Sequence, residues 1–164
     1  MRRRVAGEPM AVLPMRWERA TPVPPAKARA WWFDLQEDDH AVAEYQALKR
    51  GNKGAAPRRI VERGPAHVKA MDTYSGWTFP AVVRLQGEDA LAYELGEGKY
   101  VHRATLRFLP DGAGTRMVWD GEVRVGGLWS LGAALFKGNL QREFREDQEL
   151  HTRHMERAWR EAPW

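Results

Sequence analysis

The segment Tyr100-Val101-His102-Arg103-Ala104-Thr105-Leu106-Arg107-Phe108-Leu109-Pro110-Asp111-Gly112-Ala113-Gly114-Thr115-Arg116-Met117-Val118-Trp119 changes character at every second residue on both sides of one turn. Tyr100, His102, Ala104, Leu106 and Phe108 share one parity, and after Pro110-Asp111-Gly112 Thr115, Met117 and Trp119 share the opposite one; Arg103 and Arg107, then Arg116, alternate with them. Successive strand side chains point to opposite faces, so the pattern predicts a hairpin with one face buried and one wet. Proline, aspartate and glycine together supply the turn.

Upstream, the same alternation recurs between turn signals at Gly64-Pro65, Ser75-Gly76, Gly87-Glu88-Asp89 and Gly96-Glu97-Gly98. Phe79, Ala81, Val83 and Leu85 form one inward row and Leu91, Tyr93 and Leu95 another, with Arg84 and Glu94 opposite. The spacing is that of an antiparallel meander, and it predicts six strands from Arg58 onward with a seventh near Met15 to Thr21. Between the first two strands, Pro24-Pro25 opens a short helix through Trp31-Trp32-Phe33. A second short helix is expected over Ala41 to Lys49, capped by Asp38-Asp39 and ended by Gly51-Asn52-Lys53-Gly54.

Downstream, after Gly126-Gly127, the apolar period becomes helical and persists to about Trp159. The expected stripe runs Leu128, Leu131, Leu135, Leu140, Phe144, Met155 and Trp159, with Gly132 and Gly138 permitting a bend or close approach. The fold class is therefore α+β: a curved antiparallel sheet of about seven strands wrapped around a long C-terminal helix. Residues 10–164 are expected to form one domain and residues 1–9 a disordered leader.

Composition removes several kinds of chemistry. The chain has 164 residues and no cysteine, so a thiol nucleophile, a redox pair and thiolate metal sites are excluded. The formal charge is +4, but apart from Arg2-Arg3-Arg4 and Arg58-Arg59 the cations are interleaved with acids, as in Arg142 to Asp147. That interleaving suits a solvated helix face better than a nucleic-acid surface. The longest apolar run, Gly126 to Phe136, is about half the length of a membrane span. A cytoplasmic protein, monomeric or homodimeric, is expected. Glycine-rich dinucleotide, phosphate-loop and nucleophile-elbow motifs are missing. His151 and His154 have a spacing that permits a metal, but no third ligand accompanies them, and neither a metal nor a cofactor is expected.

The order of elements resembles the START-like helix-grip superfamily, also called SRPBCC, over about Met15 to Trp159. The segment Tyr100 to Trp119 is similar to the family's final hairpin, and Thr21-Pro22-Val23-Pro24-Pro25 followed by Trp31-Trp32 to its proline-capped first helix. The resemblance implies a grip fold with a cavity between sheet and helix. It also implies a range of roles: allergen-type carriers of hydrophobic ligands, polyketide cyclases and dehydrases, and co-chaperone-type interaction modules.

Parity and helical spacing place Tyr93, His102, Trp119, Phe144, Gln148, His151 and Met155 toward such a cavity as candidate ligand-binding residues. Gln148 and His151 are the local anomaly, because polar groups on the inward helix face must find a partner or lose about 1–3 kcal/mol. For an enzyme, His151 or Asp72 is the candidate base and Tyr74 or Tyr93 the candidate donor to an enolate. Each has a structural alternative: a satisfied seam histidine, an exposed strand carboxylate, core phenols. The residues favour binding of an apolar small molecule and leave catalysis and partner docking open.

Overall fold

The computed structural model describes residues 10–35, 58–74 and 77–164. Within these, seven strands and two helices follow one another: β1 (Met10–Thr21), α1 (Pro25–Phe33), β2 (Arg59–Arg63), β3 (His67–Tyr74), β4 (Trp77–Gln86), β5 (Ala90–Glu97), β6 (Tyr100–Asp111), β7 (Gly114–Gly126) and α2 (Leu128–Glu161). The strands form one antiparallel sheet in the order β1-β7-β6-β5-β4-β3-β2. Only β1 leaves sequence order, crossing to pair with β7 along its whole length from Met10↔Gly126 to Thr21↔Thr115. That partner explains why β1 begins at Met10 and not near Met15: the thirteen residues of β7 offer a ladder for all twelve of β1. Pro14 fits there because β1 is an edge strand, where a missing donor can face outward.

The predicted hairpin is β6–β7, in register from Asp111↔Gly114 to Tyr100↔Val125. Its inward row is buried: Leu106, Phe108, Met117 and Val123 are each at most 1% exposed. The opposite row of Arg103, Arg107, Arg116 and Arg124 is exposed. Gly121 marks a tight crossing, since a Cβ there would lie 2.5 Å from both Ala104 Cβ and the Arg103 carbonyl oxygen. Gly121→Val should therefore force β6 and β7 apart and destabilise the fold by about 1–3 kcal/mol, read as a lower urea midpoint.

Between β1 and β2, α1 starts as expected with proline in its first turn and buries Ala28. The expected second helix over Ala41 to Lys49 and the leader 1–9 lie outside the described residues.

The C-terminal helix is continuous for 34 residues, about 50 Å at 1.5 Å per residue. It is fastened to the edge strand at one seam: Trp17 Nε1 donates to Glu149 at 2.9 Å, and Arg19 reaches Glu149 and Glu156, the latter at 3.0 Å. Phe144, Gln148, Thr152 and Met155 face the sheet and are buried. The first part of the expected stripe is corrected. Leu128, Leu131 and Leu135 are 86%, 74% and 83% exposed. At about 100° per residue they stand roughly 160°, 140° and 180° around the axis from Phe144, so an unbroken helix that buries Phe144 turns them outward. Two apolar rows on opposite sides of one rod look like a single row in the sequence. Neither glycine takes part in close packing with another element: a Cβ added at Gly138 would have nothing within 4 Å, and one added at Gly132 would meet only Phe136 of its own helix.

Candidate functional site

Between the inner face of the sheet, the end of α1 and the middle of α2 lies a cavity of about 250 Å³. Its sheet wall comes from the inward parity of three neighbouring strands, which sets Tyr93 on β5, His102 on β6 and Trp119 on β7 side by side. Their rings touch edge-on or tilted, with centroids 5.3 Å apart for Tyr93–Trp119, 6.0 Å for Tyr93–His102 and 5.7 Å for His102–Trp119. From the helix, Phe144 meets His102 at 5.6 Å and Trp119 at 5.4 Å. From α1, Trp32 meets Trp119 at 6.4 Å and His151 at 5.6 Å. One ring cluster thus joins all three elements, and such edge-to-face pairs prefer these separations.

Of the predicted ligand-binding residues, Tyr93, His102, Trp119, Phe144, Gln148 and His151 all line this cavity. Met155 does not: it is fully buried in the core. Asp72 is neither exposed nor in the wall. It is 2% exposed and accepts from Arg58 Nε at 2.6 Å and Nη2 at 3.0 Å, and Arg58 is the member of the pair that lines the cavity. Tyr74 ends β3 opposite Trp77, and its side chain lies outside what the structure describes.

Among the wall residues that sequence reasoning missed are Trp31, Trp32, Arg58 and Asp147. In the sequence Arg58 looks like half of an exposed basic pair and Asp147 like part of a solvated charged face. For Asp147 a signal exists, since it stands one helical turn before His151 and so shares its side of α2. Its Oδ1 lies 3.5 Å from His151 Nε2, with side chains 17% and 14% exposed. His154 is half-buried and also lines the cavity. Among the described residues no group of three or more His, Asp or Glu side chains is placed to hold a metal.

Burial sets the protonation of the wall. It pushes His102 down to about 4, against the opposing pull of the Asp147 charge, so the imidazole is neutral at pH 7. Burial, helped by the charge of Asp72, raises the Tyr93 phenol far above its usual range, and burial alone raises Tyr100. Tyr93 is thereby a hydrogen-bond donor and not a phenolate. Among the described residues, five buried side-chain atoms have no hydrogen-bond partner: Trp32 Nε1, His102 Nε2, Trp119 Nε1, Gln148 Oε1, and Asp147 Oδ1, whose one polar neighbour is the ion-paired His151 Nε2. All five belong to residues of this one wall.

No family model and no curated protein matches the sequence. Solved structures do match the fold. TTHA0849 from Thermus thermophilus is 21% identical with a TM-score of 0.62, over 88% of this chain and 94% of that one. Ara h 8.0201 is 13% identical with a TM-score of 0.53, over 88% and 98%. The di-domain ARO/CYC protein BexL from the BE-7585A biosynthetic pathway is 10% identical with a TM-score of 0.58; the match covers 89% of this chain and 49% of that one. Seven antiparallel strands in one curved sheet against one long helix, matched by these structures over most of this chain, make this a helix-grip fold.

Proposed function

We propose that the protein binds a compact hydrophobic small molecule in the cavity between sheet and C-terminal helix. The observation that carries this reading is the ring cluster of Tyr93, His102, Trp119 and Phe144, drawn from three strands and the helix, bordering about 250 Å³ of open space. Apolar walls with a few convergent polar groups are the usual make-up of a ligand site. The volume lies just below the range of about 300–1,000 Å³ that suits drug-sized molecules, and so favours a one- to three-ring compound over a two-chain lipid. Burial of ligand surface at about 25 cal/mol per Å² would supply most of the affinity.

Mass spectrometry of the protein released from its host under native conditions is expected to reveal a co-purified small mass. Leu140, half-buried on the helix side of the wall, is the place to block the cavity. Leu140→Trp should lose that mass and lower affinity for a neutral naphthalene probe by at least tenfold while far-UV circular dichroism stays unchanged. Undiminished binding in that variant would place the ligand elsewhere.

A second reading, an acid–base enzyme of the cyclase or dehydrase kind, is favoured by the pairing of Asp147 with His151 on the wall and by the protonated Tyr93 phenol. There His151 is the base and Tyr93 the donor. His151→Ala with binding retained and turnover lost separates this from simple carriage.

A further inference from the structure

We infer that the outward face of α2 docks the protein on the surface of a membrane rich in anionic phospholipid, its leucines entering the lipid and its arginines holding the phosphates. This face is separate from the cavity, which lies on the opposite, sheet-facing side of the same helix.

Leu128, Leu131 and Leu135 follow the spacing i, i+3, i+7, which makes them neighbours on one side of a helix, and each is at least 74% exposed. Phe136 beside them is 59% exposed. Soluble domains seldom leave large apolar side chains grouped in water, and such a group marks a surface that meets a partner.

The same line continues along the rod as a row of cations. At about 100° per residue, the exposed Arg142, Glu146, Arg153, Arg157 and Arg160 all fall within about 40° of Leu135. Glu146, the acid among them, is met by Arg142 at 3.8 Å. Other acids that interleave with these arginines in the sequence are turned inward. Glu149 and Glu156 bind Arg19 on the edge strand, and Asp147 faces His151 in the cavity wall. Folding thus sorts a segment of mixed charge into an acidic inner side and a cationic outer one. Around the leucines the bias is the same: from Val123 to Gln141 the sequence has no Asp or Glu, and Arg124 and Lys137 flank the apolar group.

A rod of 34 residues, about 50 Å long, therefore presents three leucines and then four arginines outward. A helix so divided suits a lipid interface, where apolar side chains reach the acyl region and cations meet the negative surface potential. Guanidinium groups add bidentate binding of phosphate. A second copy fits the face poorly. Antiparallel pairing would set Leu128, Leu131 and Leu135 against Arg160, Arg157 and Arg153, and parallel pairing would set arginine against arginine. Contact confined to the three leucines would fall well short of the roughly 800 Å² per partner of a stable interface. A nucleic acid would take the arginines and leave the leucines wet.

Flotation of the full chain with vesicles tests this at pH 7 and about 0.1 M salt, using phosphatidylcholine alone and phosphatidylcholine with about one-third phosphatidylserine. We expect at least tenfold tighter binding to the anionic vesicles, weakened at least fivefold by about 0.5 M salt. Leu131→Gln combined with Leu135→Gln should weaken anionic binding at least fivefold. Arg153→Gln combined with Arg157→Gln should do the same and leave the weak binding to neutral vesicles unchanged. Glutamine is a good helix former and all four positions are exposed, so circular dichroism should not change. Equal binding to both kinds of vesicle, or anionic binding that either variant leaves unchanged, overturns the inference. Failure of the folded parent to bind anionic vesicles also overturns it and leaves an acidic protein as the occupant. A parent dimer, seen by light scattering and dissociated by the leucine variant, assigns the face to a second copy and overturns it as well.

Discussion

Asp72→Leu, with Arg58 left in place, should lower folding stability by about 3–5 kcal/mol, the largest single-residue effect expected in this chain. The two side chains are 6% and 3% exposed for Arg58 and Asp72, and the guanidinium grips the carboxylate through Nε and Nη2 at 2.6 Å and 3.0 Å. Removing Asp72 takes a counter-charge and two charge-assisted hydrogen bonds from a buried cation, and the loss comes from the desolvated charge more than from the bonds themselves. Geometry adds to the penalty, because Arg58 directly precedes β2, whose first ladder pair is Arg59↔Met71 beside Asp72. A loosened Arg58 therefore loosens the outermost strand. The double variant Arg58→Met, Asp72→Leu should recover most of the stability, since an apolar pair of similar volume removes both desolvation penalties. Urea unfolding of the three variants decides: a single-variant loss under about 1 kcal/mol, or a double variant no better than the single, counts against a buried and mutually dependent pair.

The sheet was legible because its code is short-range. Parity alone oriented β4 through β7, and every inward residue named from β6 and β7 between Tyr100 and Trp119 lies on the inner side of the sheet or in its core. The crossing of β1 to β7 carries no local signal, and the sequence reading assigned β1 no partner strand. The helix was harder, since a 3.6-residue period needs its phase carried over many turns, and a few apolar residues at its start suggested a stripe that the angular arithmetic forbids. Site residues followed the same division. Tyr93, His102 and Trp119 were found because strand parity is unambiguous. Gln148 and His151 were found because they are polar where the helix faces inward. Arg58 and Asp72 were not read as a pair, because fourteen residues and a turn separate them and only the β2–β3 ladder brings them together. Asp147 was overlooked because one charge on the inner edge of a richly charged helix looks like its exposed neighbours.

Acidification should expose His102. In the folded chain its imidazole titrates at about 4, whereas in the unfolded chain it should titrate near the ordinary histidine value of 6.5. Between those values the unfolded state binds a proton that the folded state refuses, so stability falls as pH drops through this window and is flat above it as far as this residue is concerned. The gap corresponds to about 3 kcal/mol when fully developed. Desolvation is the leading cause, and the Asp147 charge works the other way, which fixes the sign of a second variant. Asp147→Asn removes the attraction, lowers the folded-state value further and extends the loss toward lower pH. His102→Phe keeps a ring against Tyr93, Trp119 and Phe144 but carries no titrating group and no unpartnered Nε2. Its stability at pH 7 should be close to that of the parent, and its decline between pH 6.5 and about 4 shallower by up to one proton. Urea midpoints measured in half-unit steps give this difference directly. Parallel profiles for the parent and His102→Phe would mean that the imidazole is hydrated in solution and that this wall of the cavity is wet.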